Sequence, residues 1–234
     1  MPEETSEKTP DYIGHRQRLQ ARFRADLGKS MPDYELLELL LSGFIPRKDV
    51  KPIAKAMIKK YGNLSEVLNA DINDLTAFKG VSLTVATYLK AVNVCGLRTG
   101  WQKLEDDTAP VLAKWDDMVN YCRSAMGYLD VEEFRIIFLN PKYKVIGEEI
   151  QQRGTIDHVT VHPREVLKSL INSGATSFIM AHNHPSGNVR PSQADIDMTR
   201  QIKEAAETVD IKLIDHVIVS KNLTFSFKDA GLIK

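Results

Sequence analysis

Two imidazoles, a hydroxyl and a carboxylate fall close together between Ala181 and Asp195: His182, His184, Ser192 and Asp195. In an extended segment the side chains at i and i+2 point the same way, so His182 and His184 can offer two nitrogens to one ion. Pro185 lacks the N–H that a ladder needs and stops the strand, and Ser186 and Gly187 open a turn. Ser192 has the chemistry of a helix N-cap, and Asp195 falls at the third helical position, where its side chain faces the helix entrance. Two nitrogens and one carboxylate oxygen leave a fourth tetrahedral position for water, which is how catalytic rather than structural zinc is held. Taken singly, each piece is ordinary. Paired histidines on a strand are commonly surface or core-edge residues, and a Ser with an Asp three residues on is commonly a cap.

The elements that must position these groups are legible in the flanks. The apolar run before His182, from Thr176, reads as a buried strand, and residues 193–208 read as an amphipathic helix. A strand-to-helix junction is where α/β proteins tend to hold ligands. Further upstream, residues 114–127 read as a helix, 132–139 and 143–150 as a hairpin, 155–161 as an extended segment, and 164–172 as a helix entered through Pro163 and ended by Gly174. Residues 211–220 and 223–227 read as a last hairpin. This order implies a mixed sheet with helices packed on it, an α/β (α+β) domain over 112–234. Residues 11–100 read instead as a small all-α domain, with helices opening near Tyr12, Asp33, Asp49, Leu64 and Asp71, and a last one over 83–97 with Val85, Ala86, Leu89, Val92 and Val94 on its buried face. Residues 101–111, with the acidic Glu105, Asp106 and Asp107, are the expected linker, and residues 1–10 the expected disordered tail.

Composition excludes several classes. The 234 residues carry 31 Lys and Arg against 31 Asp and Glu, and this zero balance argues against whole-chain binding to nucleic acid or to an acidic membrane. The charge is uneven, with 16 basic against 13 acidic residues over 1–105, then 15 against 18. Only two cysteines occur, Cys95 and Cys122, without metal-knuckle or disulfide-framework spacing. No apolar run is long enough to span a bilayer, and the polar, acidic start lacks the chemistry of a signal peptide, so a cytoplasmic location is expected.

The spacing His182-x-His184-Pro185-x6-Ser192-x-x-Asp195 resembles the signature of JAMM (MPN-plus) metalloproteases. Chance would produce it in on the order of one in 10^4 chains or fewer. With Gly154 and Thr155, the run from Val161 to Glu165 and the run from Leu213 to His216, the chain is similar in particular to the bacterial RadC family, strongly over residues 110–234 and more loosely before them. The resemblance implies a JAMM/MPN-like fold with cytidine-deaminase-like layering, one zinc ion on His182, His184 and Asp195, and hydrolysis of amide bonds in a peptide or protein substrate through a zinc-bound water. Ser192 would then donate to the oxyanion. The family also carries a label of DNA repair, with its substrate undefined.

A general base is the remaining requirement. The resemblance places a Glu at the start of the strand after the first helix of the domain, where Glu132 and Glu133 stand. Alternation puts Glu132 with Phe134, Ile136 and Phe138, the more apolar face, and Glu133 with Arg135 and Ile137. Partial desolvation there would raise a carboxyl pKa toward neutrality, so Glu132 is the choice. Glu148, Glu149 and Glu165 are weaker candidates, and both 132 and 133 could instead be strand-edge charges. Asp215 with His216 could support a ligand, although ordinary strand residues are the simpler reading; His15, His158 and His162 read as solvent-facing or locally hydrogen-bonded residues. In the helical front, Leu75–Leu83 resembles a helix-hairpin-helix turn in which Lys79, Gly80 and Ser82 would meet a DNA phosphate, with Ser82 in place of the usual second glycine. Arg16, Arg18, Arg22, Arg24 and the lysines at 48, 51, 55, 59 and 60 could add sequence-independent contacts. The competing function is therefore a DNA-associated binding protein whose JAMM fold is a non-catalytic scaffold.

Overall fold

The computed structural model describes residues 11–105, 109–154 and 161–233, without the side chains of 11–13. The expected tail at 1–10, His158 and most of the expected extended segment 155–161 lie outside these residues. The chain divides into two compact units, Met1–Cys95 and Gly96–Lys234.

The first unit is helical: α1 (Asp11–Asp26), α2 (Asp33–Phe44), α3 (Lys51–Tyr61), α4 (Leu64–Asn69), α5 (Ile72–Thr76) and the start of α6 (Leu83–Glu105). Its short helices are set by their caps. Asn63 accepts from the Glu66 N–H, Asp71 from the Asn73 N–H, and Gly62 leaves α3 at a φ of +100° that few side chains tolerate. Leu37, Leu41, Ala54, Met57, Val67, Leu75, Ala86 and Leu89 form its core. Two expectations for α6 are corrected. Val94 is 45% exposed rather than buried. The helix also runs on to Glu105, through the residues expected to begin a linker, because Leu97, Trp101 and Leu104 continue an apolar stripe at helical spacing. Leu104 is buried among Val111, Met118 and Cys122 of the second unit, and the Trp101 ring lies 5.1 Å from that of Tyr121.

In the second unit a 3-10 turn (Val111–Lys114) leads into α7 (Trp115–Met126), then β1 (Glu133–Leu139), β2 (Val145–Arg153), α8 (Pro163–Ser173), β3 (Ser177–Asn183), α9 (Gln193–Glu207), β4 (Lys212–Val219) and β5 (Thr224–Ser226). The strands form one sheet in the order β2-β1-β3-β4-β5, antiparallel except for the parallel pair β3 and β4. That pair is parallel because α9 carries the chain back across the sheet between them. α8 and α9 cover the face that bears Phe134, Ile136, Phe138, Phe178, Met180 and Ile218. α7 and the end of α6 cover the face that bears Ile137, Leu139, Ile179, Ala181 and Val217. With both faces covered, β1 and β3 are buried along their whole length, so the face of β1 that bears Glu133, Arg135 and Ile137 is as enclosed as the more apolar one. The mixed α/β class with a helical front is as expected.

Candidate metal centre

The register of the central strands assembles the site. β1 and β3 pair Phe134 with His182, so the residues that precede β1 meet the carboxyl end of β3. His182 and His184 point to the α9 face, and the N-terminus of α9 brings Asp195 to them. One ligand atom from each of the three residues lies within 4.8 Å of the others, the only such group among the described residues. His182 is buried; His184 and Asp195 are half-buried.

The turn between strand and helix is held from within. The Gly187 N–H donates to the His184 carbonyl at 3.0 Å, with Gly187 at a φ of +84°. Ser192 and Asp195 form a reciprocal capping box: the Asp195 N–H donates to Ser192 Oγ, while the Ser192 N–H donates to Asp195 Oδ2 at 2.7 Å. The Ser192 hydroxyl also donates to Oδ2, at 2.6 Å. The carboxylate is thus aimed by its own helix start.

The ring nitrogens have defined roles. His184 Nδ1 lies 2.7 Å from the Asn188 carbonyl, which can only accept, so Nδ1 carries the proton and Nε2 presents a lone pair. His182 Nδ1 is engaged by His216 Nε2 at 2.7 Å, leaving its Nε2 to face that of His184 at 3.0 Å. Asp195 Oδ1 is 3.4 Å from His182 Nε2, and Oδ2 is 3.6 Å from His184 Nε2. Lone pairs this close repel unless a cation or a proton sits between them. Burial opposes charge on His184, yet the Asp195 carboxylate, the Asn188 carbonyl and the charge of Glu132 together raise its pKa above the ordinary value. Asp195 is likewise desolvated, but the two histidines and Ser192 hold it well below the usual carboxylate range. A donor set of two imidazoles and a carboxylate fits a zinc ion.

Glu132 and Glu133 part ways at the start of β1. Glu132 precedes the strand, shares the α9 face with Phe134 and is half-buried, near enough for its charge to act on His184. Glu133 points to the α7 face and is fully buried. There the Arg135 Nε donates to its Oε1 at 2.6 Å, and Arg153 lies 3.0 Å from Oε2 at ion-pair distance but outside hydrogen-bonding geometry. Glu133, not Glu132, is therefore the more desolvated of the two, the reverse of the expectation, because β1 is central and its second face is covered as well. The strand-edge reading of these carboxylates is also overturned, since β2 and β3 flank β1.

Several residues fall elsewhere. Glu148 pairs with Arg135 and Tyr121 on the α7 face, Glu149 with Ser169 and Gln151, and Glu165 with Arg164. His15 bonds Glu38, and His162 is exposed before α8. In the first unit Gly80 is exposed at a φ of +97°, Lys79 is exposed, and Ser82 Oγ accepts from the Val85 N–H. Arg16 is committed to the carbonyls of Ser42, Ile45 and Lys48, and Arg22 to Glu35, so neither is a free surface cation as expected.

Two supporting residues, Asn183 and Thr199, were not legible, and a third, His216, was read first as an ordinary strand residue. Asn183, fully buried between the two histidines, accepts from the Glu133 N–H at 2.7 Å and donates to the Val131 carbonyl at 3.0 Å, clamping the backbone on both sides of Glu132. Thr199 bonds His216 Nδ1 at 2.6 Å. His216 itself is a supporting group rather than an ordinary strand residue, but Asp215 is not its side-chain partner. The Asp215 carboxylate instead accepts from Ser226 and from the N–H groups of His216 and Lys228. Alternation alone could have placed His216 on the face of His182, but only the β3–β4 register brings the rings together.

The family model of the RadC-like JAB domain matches residues 112–232, the span that holds the sheet and the site. Over 225 residues the chain is 41% identical to a UPF0758 protein of Ruegeria pomeroyi, covering 96% of this chain and all of that protein. A JAB-domain match across the second unit, together with this relative along nearly the whole length, shows that the chain belongs to the RadC family.

Proposed function

We propose that the chain is a zinc-dependent hydrolase of amide bonds in a peptide or protein substrate. The observation that carries this reading is the convergence of His182 Nε2, His184 Nε2 and the Asp195 carboxylate, with Glu132 on the same face. His182, His184 and Asp195 would hold the ion, one per chain. When bound, zinc supplies Lewis acidity and lowers the pKa of water. Glu132 takes a proton from the attacking water and returns it to the leaving nitrogen. Ser192, released from Asp195, donates to the carbonyl oxygen as negative charge grows there.

The test is elemental analysis beside a peptide- or isopeptide-linked reporter. Glu132→Gln keeps zinc and loses turnover by at least about 100-fold, the scale of a lost general base. His182→Ala loses both zinc and turnover. Full activity in the Glu132→Gln chain would sink the assignment.

A second reading, a DNA-associated protein with a non-catalytic fold, draws on the turn at 79–82. The exposed Gly80 lies beside Lys48, whose Nζ would be 2.6 Å from a Cβ built on the glycine, and beside the exposed Lys79. Binding of the full chain to duplex or branched DNA that weakens with salt supports it; no binding at low salt removes it.

A further inference from the structure

We propose that Thr199 is a positioning residue of the metal centre, setting through His216 which nitrogen of His182 carries its proton. The inference rests on the reading of His182, His184 and Asp195 as ligands. His184 has its proton placed by a carbonyl, a group of fixed polarity. At its Nδ1, His182 has no such partner. Its Nδ1 meets another imidazole, that of the fully buried His216, and a neutral imidazole can donate or accept at either nitrogen. Something of fixed polarity must therefore lie further along.

It lies on α9. Thr199 stands one turn after Asp195 on the same face and is 1% exposed. Its hydroxyl has one proton, and that proton goes to the Asp195 backbone carbonyl at 2.5 Å. Toward His216 the oxygen can then only accept, so the 2.6 Å contact requires the proton on His216 Nδ1. His216 Nε2 is left as an acceptor, and His182 Nδ1 must donate to it across 2.7 Å. The lone pair of His182 then sits on Nε2, facing His184 and Asp195. With the hydroxyl turned the other way, every step inverts and an N–H on His182 Nε2 points into the site. The helix that delivers the carboxylate ligand thus also prepares the first imidazole, through its own backbone.

Thr199→Val keeps the shape and removes the acceptor, while Thr199→Ser restores it. Zinc affinity is measured on the full chain by competition with a chromophoric chelator. The tautomer of His182 is read from long-range proton–nitrogen spectra of the metal-free chain at a pH where its ring is neutral. The wild-type chain shows His182 protonated at Nδ1. Thr199→Val shows mixed tautomers and binds zinc at least about tenfold more weakly, the scale for a lost partner of a ligating histidine, and Thr199→Ser returns to within about twofold. Unchanged zinc affinity in Thr199→Val with His182 still held as the Nδ1–H form overturns the proposal. So does a wild-type His182 protonated at Nε2, a readout that stands even where the Val variant fails to fold. A wild-type chain that binds no zinc defeats the reading of the ligands instead, and the nitrogen spectra still decide the tautomer.

Discussion

At the scale of single residues, His184 makes the site sensitive to pH. Its pKa in the folded chain lies above the ordinary 6.5, so its charged form gains an ion pair with Asp195. In the metal-free chain that contribution is fully present below the unfolded pKa and is lost as pH rises through the raised folded value. Zinc needs the neutral ring and runs the other way. Zinc affinity is expected to climb as pH rises from 6.5 through the folded pKa of His184, with about one proton released per ion bound in that window. Calorimetry in buffers of different ionisation enthalpy checks this; a pH-independent affinity with no proton release would contradict the assignment of His184 as a ligand. Glu132 and Glu133 show a second residue-scale lesson. Parity put Glu132 on the face of His184, but the reason offered for choosing it, greater desolvation, belongs to Glu133, whose charge is matched by Arg135 and Arg153.

At the scale of elements, the site depends on two junctions. The capping box holds Asp195 at the first turn of α9, and Asn183 ties the end of β3 to the entry of β1. Asn183→Ala leaves the buried Glu133 N–H and the half-buried Val131 carbonyl without their partner, and an orphaned buried group costs roughly 1–3 kcal/mol. We expect denaturant unfolding to show a loss of that order, while zinc stoichiometry is retained because β3 still pairs with β1 and β4 around the histidines. An unchanged midpoint would mean that the clamp is not needed. The elements themselves were largely legible: α2, α3 and α4 open within a few residues of the expected starts, and α8, α9 and the described strands lie within a few residues of theirs. Periodicity and caps are local, so they survive without knowledge of the fold. The end of α6 was not legible as helix, because Gly100 and the acidic run after Leu104 look like a linker until the stripe of Leu97, Trp101 and Leu104 is given a surface to cover.

At the scale of the whole molecule, the second unit begins before the span matched by the family model. Residues 96–105 belong to it, and Trp101 and Leu104 pack on the core around Tyr121 and Cys122. A fragment starting at Gly96 is therefore expected to be more stable than one starting at Val111. Fully burying one large apolar side chain contributes about 1.5–3 kcal/mol, and the shorter fragment lacks the cover of both. Comparing their thermal unfolding checks this, and equal midpoints would show that the end of α6 adds nothing. Among the described residues, no helix is long and apolar enough to cross a membrane.

The sequence by itself determined the grouping of His182, His184 and Asp195, the turn and cap that present it, the parity of Glu132 and the mixed α/β class. These follow from covalent spacing and from periods of two and 3.6, which any chain carries in its order. Only the tertiary structure decided that Glu133 is buried beside two arginines, that Arg16 and Arg22 are spent within the helical front, and that Asn183, Thr199 and His216 stand behind the site. Those assignments depend on which strands become neighbours. His216 is 34 residues from His182, and Asn183 is 50 from Glu133. No local period encodes such contacts; the register of the sheet and the docking of α9 create them.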